Sequence, residues 1–222
     1  MSNENPIITI VVNLISQLWW LILILAIIPV FKLFLPYIKG KLGEYIVQYH
    51  AKKFLNEDYI LLNDLTFLDQ DNQTTQIDHI LLSPYGIFVI ETKNYKGWIF
   101  CSSHQKMWTQ KIYKSSHKFQ NPLHQNYKHI KVLEGLLNDL IDPNLSIHGL
   151  VVFVPICEFK TPIPEHVHWG KSWIEEVKNY QMKVIDDRRL QRIKYRIEKA
   201  ALQKSWKTNR EHIRSVKERL KD

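Results

Sequence analysis

Apolar positions change their spacing three times along this chain, and each spacing predicts a different kind of element. Residues 7–30, IITIVVNLISQLWWLILILAIIPV, run 24 positions without a charge, with Asn13, Ser16 and Gln17 the only strongly polar interruptions. A helix rises about 1.5 Å per residue, so this run matches a hydrocarbon core roughly 30 Å thick. It offers no polar face, which argues against the core helix of a soluble domain. The spacing then becomes amphipathic: Leu42, Ile46, Val47, Phe54 and Leu55 put apolar side chains on one face of KLGEYIVQYHAKKFL at 41–55, predicting a half-buried helix.

Short runs with strand-like spacing follow. Residues 59–62 read as a strand, and DQDNQTT at 69–75 is turn chemistry. Residues 76–82 and 86–93 read as two strands joined across SPYG, whose Pro and Gly suit a hairpin connection. Residues 98–108 extend that sheet, 121–140 read as a helix with Pro122 in its first turn, and GLVVFVP at 149–155 reads as a buried strand. The order helix, three strands, helix, strand predicts an α/β fold with a mixed sheet and helices on its faces. SWIEEVKNY predicts a further helix, and the basic tail 188–222 repeats Leu190, Ile193, Ile197 and then Ile213, Val216, Leu220 at helical spacing, as a solvated amphipathic helix does. Three segments result: 1–36 as leader and anchor, 37–155 as the main domain, and 156–222 as a largely helical, basic extension.

Charge changes the picture at the N-terminus. The leader MSNENP has no Lys or Arg and no small-residue cleavage site follows the apolar run, so a retained anchor is favoured over a signal peptide. Lys32, Lys39 and Lys41 follow the span, which places the remainder of the chain in the cytoplasm as a single-pass protein of the cell membrane. Trp19 and Trp20 lie mid-span, where they suit helix packing and leave a homodimer open. Over the whole chain 30 Lys and Arg face 22 Asp and Glu, a net charge of +8 that favours nucleic acid or acidic lipid as partner. The two cysteines, Cys101 and Cys157, form no CxxC pair, so neither a disulfide scaffold nor a structural zinc site is indicated.

The candidate chemistry lies in the two hairpin strands. Strand alternation puts Ile87, Val89, Glu91 and Lys93 on one side, and Gln76, Asp78, Ile80 and Leu82 share a face of the preceding strand. Hairpin pairing brings Asp78 beside Glu91 or Lys93, so two carboxylates meet one amine. Such a pair suits Mg²⁺ or Mn²⁺, and the amine suits phosphate; a strand-end salt bridge is the other reading. His79 follows Asp78 and faces the other way, as a packing histidine does, and the alternating His166 and His168 lack the company of a metal site. Lys111, Lys114 and Lys118 with Trp108, Tyr113 and Phe119 interleave charge with aromatics, a pattern suited to nucleic-acid backbone and bases.

Four stretches, KGKLGEYIVQ at 39–48, QIDHILLSPYGIFVIETKNYKG at 76–97, the Trp108-Thr109-Gln110 segment and NPLHQN at 121–126, resemble the nuclease-related domain family, NERD, a branch of the PD-(D/E)xK nuclease superfamily. The resemblance covers residues 37–155. It implies a restriction-endonuclease-like core in which Asp78, Glu91 and the backbone carbonyl of Thr92 ligate Mg²⁺ (or Mn²⁺) and Lys93 is the catalytic lysine. Glu44 matches an acidic residue of the first helix that acts on the metal through water or holds a second ion. Gln76 and Gln125 join Lys111 and Lys114 as substrate-side candidates; the tyrosine that follows Gln125 by four in the fuller motif is His129 here. The implied activity is Mg²⁺-dependent phosphodiester hydrolysis of nucleic acid, DNA being favoured, by a membrane-anchored protein. The alternative is a non-cleaving nucleic-acid-binding or scaffold module at the membrane.

Overall fold

The computed structural model describes residues 6–69, 71–142, 145 and 147–202. By its contacts the chain divides into one unit ending at Lys41 and a second starting at Leu42. Helix α1 (Pro6–Phe54) supplies the described part of the first unit. There Ile10, Trp19, Trp20, Leu25 and Phe31 are all exposed, and two of the sparse polar side-chain groups bond within the helix. Ser16 Oγ donates to the Asn13 carbonyl and Trp20 Nε1 to the Gln17 carbonyl, each at 2.9 Å. Among the described residues this is the one helix long and apolar enough to cross a membrane, and none of its apolar stretch is buried inside the protein.

In the second unit, the last turns of α1 are followed by β1 (Ile60–Leu68), β2 (Thr74–Ser83), β3 (Gly86–Lys93), β4 (Gly97–Phe100), β5 (Met107–Ile112), β6 (Ser115–Gln120), α2 (Pro122–Leu137), β7 (Ile147–Phe153), β8 (Cys157–Phe159), β9 (Val167–Trp169), α3 (Trp173–Asn179) and α4 (Asp187–Ala200). The main sheet has the order β1-β2-β3-β7-β9. β1, β2 and β3 pair antiparallel, β7 joins β3 in parallel after the α2 crossover, and β9 is parallel to β7. The predicted helix, three strands, helix, strand order is thus present, and the chain is α/β with mixed sheets.

Both faces of this sheet are covered, which is why β3 reads as nearly continuous apolar text. Ile87 and Val89 pack with Leu133 and Leu137 of α2 and with Leu190, Ile193 and Ile197 of α4. Phe88 and Ile90 pack the opposite way, against Val47 and Ala51 of α1 and Trp173 and Val177 of α3. The apolar stripe of α4 is therefore core rather than a solvated face, a correction to the sequence reading; Ile213, Val216 and Leu220 lie outside the described residues.

Residues 98–108 do not extend the main sheet. A second sheet of order β6-β5-β4-β8 forms instead, with Ile99 and Trp108 packed on Val151 and Phe153 of β7. The β3–β7 register aligns Glu91 with Val151 and Lys93 with Phe153. The second sheet therefore sits on the same face as those two charged side chains. This also corrects the aromatic assignment: Trp108 is fully buried, stacked on Phe153 at 6.1 Å, and Phe119 meets Tyr95 edge-on at 4.6 Å.

Candidate active site

β2 and β3 are laddered from the Ser83–Gly86 pair to the His79–Ile90 pair, and there they part. β2 continues along β1 to Thr74 while β3 continues along β7 to Lys93. The next pair in register would be Asp78 with Glu91, so the two carboxylates stand where the ladder opens. The Thr92 amide, having left the ladder, donates to Asp78 Oδ2 at 2.8 Å. A buried backbone donor is thus satisfied by the very side chain that faces the gap. The two-residue Pro84-Tyr85 loop fixes this register; a slip of one residue would turn Asp78 to the other face. His79 is on that other face, 2.8 Å from Asn63 Oδ1 through Nδ1, as the packing reading expects.

Helix α2 completes the site from above. Asn121 caps it, its Oδ1 accepting from the Leu123 amide at 2.9 Å, while Pro122 occupies the first turn. One turn in, Asn126 Nδ2 donates to the carbonyls of Val89 and Leu150 at 3.0 and 3.1 Å, pinning the helix over the β3–β7 seam. A side chain at Gly149 would place its Cβ 2.8 Å from Ile130 Cδ1 and 3.0 Å from Asn126 Nδ2, so glycine permits this close approach. Gln125 and His129, four apart on one helix face, then reach the strand charges. Lys93 Nζ donates to Glu91 Oε1 at 2.6 Å and to Gln125 Oε1 at 3.0 Å. His129 Nε2 lies 3.3 Å from Glu91 Oε2, near enough for charge attraction but not aligned as a hydrogen bond.

Electrostatics differ sharply between the two carboxylates. Burial, then the negative charge of Glu91 and more weakly that of Glu44, pushes the Asp78 carboxyl well above its usual range, against the Thr92 amide and Lys93. Burial would also raise Glu91, but Lys93 and His129 outweigh it and hold that carboxyl at about 2. Burial opposes the charge of Lys93, yet Glu91, Tyr95 and Asp78 raise its pKa, so it stands as a cation. Glu44 acts on Asp78 from α1, whose close approach rests on Gly43: a Cβ there would lie 2.8 Å from Asn94 Cβ and 3.3 Å from Thr92 Cγ2.

Among the described residues no group of three or more His, Cys, Asp and Glu side chains is gathered tightly enough to hold a metal ion. The available set is two carboxylates. It fits a hard divalent cation that keeps several waters: Glu91 Oε2 is buried without a hydrogen-bond partner, and a cation would relieve the repulsion that raises Asp78. Gln76 Nε2 donates to Asp64 Oδ1, whose residue has φ of 57° and interrupts the β1–β2 register opposite Asp78. Lys111 is on β5, and Lys114 follows it in the turn to β6, both exposed. The sequence reading did not count His129, Thr75 or Asp64 as site residues; the i, i+4 spacing of Gln125 and His129 was the available signal for the first.

An uncharacterized protein of Bacillus anthracis is 43% identical over 143 residues, which are 63% of this chain and 66% of that protein, just under two thirds of its length. No solved structure matches. The family profile described as "Nuclease-related domain" matches residues 39–154, the stretch that carries Glu44, Asp78, Glu91, Lys93, Gln125 and His129, and the chain therefore belongs to that family.

Proposed function

We propose that this chain is a membrane-anchored nuclease that hydrolyses phosphodiester bonds of nucleic acid, with DNA the favoured substrate. The observation that carries the reading is the meeting of Asp78 and Glu91 where β2 and β3 part, with Lys93 held on Glu91. Asp78, Glu91 and the Thr92 carbonyl would hold Mg²⁺ or Mn²⁺, which when bound supplies Lewis acidity toward phosphate and activates water. Lys93 contributes a fixed positive charge: two of its three protons go to Glu91 and Gln125, leaving one for a phosphate oxygen as negative charge builds. Gln125 thereby orients the lysine, and Glu44 adds negative charge that acts on Asp78.

The outer face of the second sheet suits the nucleic-acid strand. Trp98 is 45% exposed and pairs across with Lys111; the Lys111 and Lys160 ammonium groups lie 5.8 and 4.8 Å from its ring centre. Tyr113, 94% exposed, and Lys114 stand at the β5–β6 turn. These rings replace Trp108 and Phe119 as the surfaces on which bases stack, with the lysines meeting phosphates. The apolar part of α1 anchors the protein, and Lys32, Lys39 and Lys41 keep the second unit on the cytoplasmic side.

The test uses the full chain recovered from membranes after a high-salt wash, given labelled single- and double-stranded DNA in EDTA and then in Mg²⁺ or Mn²⁺. Cleavage that needs the cation and disappears in D78A and K93A is expected. Cleavage undiminished in both variants overturns the site assignment, binding without cleavage favours the scaffold alternative, and release of the chain by salt alone overturns the anchor.

A further inference from the structure

Nothing in the chemistry above requires His129, yet it is a buried polar group directly beside the site. His129, Thr75 and Glu91 are all buried. The ring bridges the other two: Nδ1 lies 3.0 Å from Thr75 Oγ1, and Nε2 lies 3.3 Å from Glu91 Oε2. Burying an imidazole costs more than burying a leucine of similar size unless its nitrogens find partners, so filling space does not account for it. We infer that His129 is a positioning residue, which with Thr75 behind it fixes the carboxylate plane of Glu91 for cation binding.

The argument is one of torsional freedom. The terminal carboxylate torsion of a glutamate is broad, so one partner leaves it free to turn. Glu91 instead meets a partner at each oxygen: Lys93 from its own strand donates a hydrogen bond to Oε1, and His129 Nε2 from α2 stands 3.3 Å from Oε2. The Thr75 hydroxyl holds the far side of the ring and so sets where Nε2 stands. Because the Nε2–Oε2 contact is not an aligned hydrogen bond, a lone pair of Oε2 stays available to a second partner. This inference rests on the reading that Glu91 ligates a cation. Removing the partner that orients a metal ligand typically costs about 10–100-fold in metal affinity.

The full chain in detergent, as wild type, H129L, H129Q and T75V, is titrated with Mn²⁺ by calorimetry, and each melting temperature is taken in EDTA. H129L keeps the volume without the nitrogen and is expected to weaken Mn²⁺ binding about 10-fold or more. H129Q, whose amide nitrogen reaches a similar point, restores most of the affinity, and T75V weakens it less than H129L does. A packing role predicts the reverse order for Leu and Gln, and that order overturns the inference, as does unchanged binding in a folded H129L. Should H129L fail to fold, unchanged binding in a folded T75V overturns it equally. A wild-type chain that takes no Mn²⁺ overturns the metal reading and the positioning role together, a result distinct from the others.

Discussion

Asp78 and Glu91 are neighbouring carboxylates whose protons are held in opposite ways, and the signs fix how the cation-free protein responds to pH. Burial and the charge of Glu91 raise Asp78 above its unfolded value. Its contribution to stability is therefore full below the ordinary aspartate range, near about pH 4, and is lost as pH rises through the raised value. Glu91, held at about 2, contributes above the ordinary glutamate range and loses that contribution as pH falls toward about 2. Substituting Asp78→Asn keeps an acceptor for the Thr92 amide while removing the charge. In EDTA at neutral pH the D78N protein should melt above wild type, the two converging near about pH 4, while the variant no longer binds Mn²⁺. A melting point below wild type at neutral pH would show that Asp78 is not under electrostatic stress. The shared face of Glu91 and Lys93 was legible from period-two alternation alone. The SPYG turn made a hairpin readable and left Asp78 beside Glu91 or Lys93; the opposition of Asp78 to Glu91 needed the register, which the structure supplies. The stress on Asp78 was not legible, because it depends on burial and on Glu44 arriving from another element.

Helix α2 shows what sequence pattern conveys at the scale of elements and what it leaves out. Pro122 marks its start in the text, and the structure begins it there, with Asn121 as the cap. Its height above the sheet comes from Asn126, which bridges β3 and β7, and from Gly149 beneath it; neither is visible as periodicity. N126A removes a donor from two buried carbonyls, a loss of about 1–3 kcal/mol, read as a fall in the urea midpoint. The same change frees the helix to lift Gln125 and His129 away from Lys93 and Glu91, so Mn²⁺ affinity should fall with stability. Stability lost at unchanged Mn²⁺ affinity would mean that α2 does not set the site. The misread elements share a cause. The 98–108 segment and the α4 stripe both carry apolar residues at correct spacing, but spacing does not say which surface receives them. Trp108 is buried because a second sheet lies on Val151 and Phe153, and Leu190, Ile193 and Ile197 because α4 covers Ile87 and Val89.

Over the whole molecule, an uncharged apolar segment belongs to a chain whose net charge is +8. A positive body attracts any polyanion without regard to sequence, so affinity alone does not distinguish a substrate surface from general attraction. Salt dependence does. Each lysine that neutralises a phosphate releases a counterion, and the slope of log affinity against log salt falls by roughly 0.7 for each such contact on single strands and about 0.9 on duplex DNA. Lys111 and Lys114 accompany Trp98 and Tyr113 on and beside the exposed face of the second sheet. The double variant K111A/K114A should therefore make the slope for single-stranded DNA shallower by about 1.4, with the protein still folded. W98A should weaken binding by about 1–3 kcal/mol at every salt concentration and leave the slope unchanged, because base stacking releases no condensed counterion. Titrating fluorescent DNA into the EDTA-treated full chain at several salt concentrations separates these effects. If both variants retain the wild-type slope and affinity, the nucleic acid lies elsewhere and the second sheet is not its platform.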